Sequence, residues 1–79
     1  METNEFGIKY NIEGLGYVDS RLRDNLRKNL HANKRIAGKH FHQPFVKSVC
    51  VYDNSGTACL YLKKTENGIV REERDPVAL

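Results

Sequence analysis

The 79-residue chain reads as one small α+β domain in the order β-α-β-β-β, with a long amphipathic helix packed on one face of a four-stranded, largely antiparallel sheet. Three observations predict it. Residues 5–13 alternate apolar and polar; residues 19–38 carry a leucine stripe at helical spacing; and three further alternating stretches follow, separated by turn-forming clusters. The length allows a single core and excludes a second domain, and 1–4 and 75–79 read as loose termini.

In the first strand, Glu5 to Glu13, Phe6, Ile8, Tyr10 and Ile12 share one face and Gly7, Lys9 and Asn11 the other. Gly14-Leu15-Gly16 then breaks the strand and reverses the chain. A Gly-x-Gly between strand and helix invites comparison with a dinucleotide-binding turn. The third glycine position, however, holds Asp19, and no second βαβ half fits, so no cofactor is implied.

The helix is expected over Asp19 to Gly38. Leu22, Leu26, Leu30, Ile36 and Ala37 fall within an arc of roughly 120° at about 100° per residue, a core-facing face. Asp19 or Ser20 suits the N-cap, because a short side-chain oxygen there accepts from free amides of the first turn. Gly38 suits the C′ position, with Lys34 and Arg35 in the last turn. Asn29 and Asn33 interrupt the apolar arc and imply one partly wet shoulder.

Lys39-His40-Phe41-His42-Gln43-Pro44 then reads as a polar loop. Phe45 to Asp53, Thr57 to Lys64 and Ile69 to Arg74 read as a meander, joined by Asp53-Asn54-Ser55-Gly56 and Thr65-Glu66-Asn67-Gly68. Asn67-Gly68 is the dipeptide of a type I′ hairpin turn. Pairing Val49 with Leu60 and Val51 with Ala58 makes one face continuously apolar. Ser48, Cys50, Tyr52, Cys59, Tyr61 and Lys63 then lie on the other face, with Cys50 opposite Cys59. The charged run Arg71 to Arg74 suits a protected sheet edge.

The net charge of +3 hides an uneven distribution: residues 1–18 carry −2, residues 19–48 carry +6 and residues 49–79 carry −1. The excess positive charge belongs to the helix and the loop after it, which points to nucleic acid or an acidic protein surface as partner. No apolar run approaches the length of a membrane span, so no membrane is implied. The N-terminus is acidic and alternating where a secretory signal is basic and then continuously apolar, so a cytoplasmic setting with reduced thiols is expected.

The expected function is a non-enzymatic binding module or inhibitor. Its partner-binding candidates are Arg21, Arg23, Arg27, Lys28, Lys34, Arg35 and Lys39 on the helix and loop. Tyr52, Tyr61 and Lys63 on the uncovered sheet face are further candidates, for base stacking or for a homodimer through that face. Small, unequally charged chains of this kind are common among regulators carried by phage and mobile elements, anti-CRISPR proteins among them. The alternative is a metal-independent ribonuclease of the small toxin type. In that reading His40 and His42 are acid and base, and Arg35, Lys39 or Lys47 stabilise phosphate charge. His-x-His lacks a supporting cysteine or carboxylate, so no metal is expected.

Overall fold

The computed structural model describes residues 4–76. It is α+β: strands β1 (Gly7–Ile12) and β2 (Gly16–Ser20), helices α1 (Asp24–Arg27) and α2 (Leu30–Phe41), then strands β3 (Val46–Tyr52), β4 (Ala58–Thr65) and β5 (Gly68–Glu73). The strands form one sheet in the order β2-β1-β3-β4-β5, with every neighbouring pair antiparallel. Four of these strands coincide, within a residue or two at their ends, with the four alternating segments of the sequence.

The fifth strand, β2, corrects the expectation of four. Gly14 and Gly16 both take positive φ, the Leu15 amide donates to the Ile12 carbonyl, and the chain folds back as a hairpin on β1. Asp19 and Ser20 therefore lie in a strand and cap no helix. Because β2 is a sheet edge wetted on most of its surface, its residues need not alternate in polarity, and the period-2 signal is weak there.

The single long helix is also corrected. The segment breaks at Asn29, which is extended (φ −100°, ψ 99°) and whose side chain accepts from the Ala32 amide as N-cap of α2. Asn33, fully buried, donates from its Nδ2 to the carbonyls of Leu26 (3.2 Å) and Asn29 (2.8 Å), which also accept from the Asn29 and Asn33 amides, so its side chain ties together the two sides of the break. What read as a wet shoulder is the joint between two helices.

At its other end α2 runs through Gly38 to Phe41. The residues expected as loop, Lys39 to Phe41, form its last turn, because Phe41 lies four positions after Ala37 on the same face and both are buried. The core-facing stripe of α2 is thus Asn33, Ala37 and Phe41, flanked by Leu30 and Ile36. Leu22, Leu26 and Leu30 are all only half-buried. Lys64 fastens the exit from α2, its Nζ donating to the carbonyls of Gln43 (2.8 Å) and Val46 (2.7 Å) with the Phe41 ring centroid 5.0 Å away.

Under α2 lie Phe6, Ile8 and Tyr10 of the β1 segment, Val46, Val49 and Val51 of β3, and Cys59, Leu60 and Leu62 of β4. The β3–β4 register differs from the one expected: Val49 pairs with Leu62, Val51 with Leu60 and Cys50 with Tyr61. An irregularity between Val51 and Tyr52 leaves Cys59 as the extra residue, which turns it into the core while Cys50 stays on the open face. The cysteines are therefore not opposite each other, and both are free thiols. The bend is held by the buried Asp53, whose Oδ1 accepts from the Ser55 amide, the Ser55 hydroxyl and the Thr57 amide. In the β4–β5 hairpin Thr65 pairs with Gly68 around Glu66-Asn67, and neither Glu66 nor Asn67 has positive φ, so the expected turn centred on Asn67-Gly68 does not form.

Candidate functional site: the open face of the sheet

Strand pairing sorts the open face into rows. One row reads Asp19, Lys9, Cys50, Tyr61 and Glu72 across β2, β1, β3, β4 and β5; the next reads Tyr17, Asn11, Ser48, Lys63 and Val70. Neither helix packs on this side, because Val49, Val51, Leu60 and Leu62, which α2 covers, point the other way. Along the second row, and extending past it to Lys47 and Lys64, lies a trough of about 440 Å³ that Asn11 and Ser48 line between Tyr17 and Tyr61, with Lys63 beside them. Tyr17 and Tyr61 stand on strands three positions apart in the sheet, about 14 Å at the usual spacing. The short side chains of Asn11 and Ser48 are what make the intervening surface concave.

Charge on this face is graded. Asp19 and Glu72 occupy the outer ends of the first row, whereas Lys63 and Lys47 lie towards the other lip of the trough. Anions are favoured along the lysine lip and disfavoured at the Asp19 and Glu72 corners. Lys47 reaches the rim because β1 and β3 are irregular at Asn11 and Ile12, which leaves Lys47 unpaired between Val46 and Ser48.

Of the sheet residues expected to bind a partner, Tyr61 and Lys63 line the trough. Tyr52 does not: its ring lies over Gly7, where a Cβ would come within 2.6 Å of the Tyr52 hydroxyl, and that hydroxyl donates to Asp19 Oδ1 at 3.4 Å. Lys9 Nζ sits 5.9 Å from the same ring centroid. Burial, followed by the Asp19 carboxylate, raises the Tyr52 pKa and keeps its phenol neutral. Tyr17, 74 % exposed, was not among the candidates, because residues 17 and 18 fell between the expected turn at Gly14-Leu15-Gly16 and the expected helix from Asp19 and were assigned to no element. The signal that would have found it is Tyr17-x-Asp19 as a period-2 continuation after a Gly-Leu-Gly turn.

The basic residues of the helical segment are dispersed. Arg21 pairs with Glu5 (3.8 Å), Arg27 with Asp24, and Lys34 with Glu73 (3.7 Å). Arg23, Lys28, Arg35 and Lys39 make no ion pair among the described residues. The break at Asn29 separates Arg21, Arg23, Arg27 and Lys28 from Lys34, Arg35 and Lys39, so the seven do not form the continuous stripe that one helix would present.

His40 and His42 lie two residues apart at the end of α2, about 200° around its axis, and point different ways. His40 Nδ1 is hydrogen-bonded to the Tyr10 hydroxyl at 2.7 Å. Beside that pair is a cavity of about 260 Å³ lined by Tyr10, Ile12, His40, Gln43, Phe45 and Val46, with no lysine or arginine in its wall. Neither a second histidine nor a phosphate-binding cation joins His40 there. Burial raises both thiol pKa values, Lys9 opposing the rise at Cys50, so neither is activated as a nucleophile. The arrangement offers aromatic faces, ammonium groups and a small polar floor, which together suit non-covalent recognition.

Comparison with protein-family models, with curated proteins and with solved structures gives no match. Among the described residues no helix is long and apolar enough to cross a membrane.

Proposed function

We propose that the chain is a non-enzymatic module that binds single-stranded nucleic acid on the open face of its sheet. The observation that carries the reading is the trough, which places Tyr17 and Tyr61 on either side of a small polar floor with Lys47 and Lys63 at the lip. Bases stack on the tyrosines, phosphates follow the lysine lip away from Asp19 and Glu72, and Asn11 and Ser48 offer hydrogen bonds to base edges. A duplex has its bases already stacked and presents none to a flat sheet, so an unpaired strand is the better fit. In this reading the sheet, more than the helix, is the contact surface. Arg23, Lys28, Arg35 and Lys39 add long-range attraction from the far side. A small regulator or inhibitor that occupies nucleic acid, including one carried by a phage, is a role of this class.

The test is a salt titration of binding to a short labelled single strand. With two to three phosphates contacted, log K should fall against log salt with a slope of about −1.4 to −2. Changing Lys63 to Ala should flatten it by about 0.7. Tyr17→Ala and Tyr61→Ala should each weaken binding by about 1 to 3 kcal/mol with little effect on the slope. No binding at low salt, or binding indifferent to both tyrosines, would remove the open face from the argument.

A further inference from the structure

On the covered side of the sheet, α2 packs chiefly on β3 and leaves the flank towards β5 open. A helix with side chains is about 10 Å wide, whereas five strands span roughly 24 Å, so one helix cannot close this side. The result is a groove of about 340 Å³ between α2 and strands β4 and β5. Its floor is Gly38 and the narrow exposed edges of Leu60 (2 % exposed) and Leu62 (6 %), and its walls carry His31, Lys34, Arg35 and Arg71.

Two independent features bear on what fills it. First, the cations here already act as a carboxylate cradle: Glu73 Oε1 lies 2.9 Å from Arg71 Nη2 and 3.7 Å from Lys34 Nζ, and the Arg71 hydrogen bond lowers the Glu73 pKa. Arg35 makes no such pair among the described residues, so the groove keeps a net positive charge beside its aliphatic floor. Secondly, Gly38 sits inside α2, where glycine is costly, and a Cβ added there would meet nothing within 4 Å. Alanine would therefore fit at that point without a clash. An incoming backbone laid against the helix would gain its closest approach there.

We infer that this groove is a docking site for a segment of a partner protein that carries acidic residues around an apolar side chain. The apolar side chain lies over Leu60 and Leu62, its backbone passes Gly38, and its carboxylates meet Arg35 and Arg71. The groove is lined by no tyrosine, and His31 is its one ring, whereas the trough on the other face has Tyr17 and Tyr61, on which bases would stack. The inference goes beyond the nucleic-acid reading and stands apart from it, since the two surfaces lie on opposite sides of the sheet.

The probe is a library of random twelve-residue peptides selected on the immobilised full chain. Selected peptides should carry Asp or Glu within three or four positions of a Leu, Ile, Met or Phe. Their affinity should drop roughly tenfold or more for the Arg35→Glu, Arg71→Glu pair and should rise for Glu73→Gln, which removes the competing carboxylate. Tyr61→Ala should leave it unchanged, whatever becomes of nucleic-acid binding. Gly38→Ala should raise the melting temperature by about 4 to 8 °C while weakening the peptides. No enrichment, enrichment of basic or acid-free peptides, or affinity indifferent to the charge reversals would overturn the inference. So would a Gly38→Ala protein that binds the peptides as well as the original.

Discussion

The two faces of the sheet are built from the same strands and by the same alternation, yet they obey different constraints. On the covered face every row must fit α2, so Ile8, Val49, Val51, Leu60 and Leu62 are buried and their identities are fixed by volume. On the open face Asn11, Tyr17, Tyr61 and Lys63 are positioned by backbone pairing, and neither helix packs against them. Their side chains are then free to be chosen for chemistry. A rigid face whose side chains carry little of the folding energy is a suitable place for binding, because changing them does not endanger the fold.

The sharpest way to break this comparison is to remove a side chain from each face. Phe41→Ala should cost about 3 to 5 kcal/mol in urea unfolding, since the ring is 3 % exposed and also lies beneath the Lys64 ammonium. Leu26→Ala should cost clearly less, because Leu26 is only half-buried. Equal losses would restore the leucine stripe as the core contact. At the joint between the helices, Asn29→Ala removes the cap of α2 and should cost roughly 1 kcal/mol. Tyr17→Ala on the open face should change stability by no more than about 0.5 kcal/mol.

The cysteines sharpen the comparison chemically. Cys59 is buried under α2 and Cys50 is half-exposed on the open face, so a maleimide should modify native protein at Cys50 and reach Cys59 only through unfolding. Burial raises the pKa of both thiols from the ordinary value of 9.0. The folded chain then keeps a proton that the unfolded chain releases. The stability this represents is fully present below about pH 9 and is lost as pH rises through the folded value. Tyr10 and Tyr52, also raised by burial, extend the decline in the same direction above their ordinary value of 10.0. Urea midpoints measured from pH 8 upward should fall, and a flat profile would contradict the burial of these groups.

Much of the fold is legible in the residues. The alternation in 5–13, 45–53 and 57–64 marks β1, β3 and β4, because each has one face that must be dry, whereas β5 is exposed throughout and was marked by its residue types and the turn before it. Tyr61 and Lys63 follow from the same parity. Less legible was whatever depended on an edge or an irregularity. The strand β2 has little dry surface to show in its sequence, and Tyr17 was missed with it. The Cys50 register was displaced because one extra residue at Cys59 is invisible to a count of alternation.

The sequence by itself determined that the chain is α+β, which faces of β1 and β3 are apolar and, Cys59 apart, which face of β4, and that its positive charge is concentrated in residues 19–48. Only the tertiary structure decided where the helical segment breaks, how far α2 runs, and which surface is concave. Asn29 reads equally well as a helix interior or a cap until Asn33 is buried beside it and bonds its carbonyl. Gly38 reads as a helix end until burial of Phe41 draws the helix past it. In each case local propensity left two conformations close in energy, and burial against the sheet selected between them.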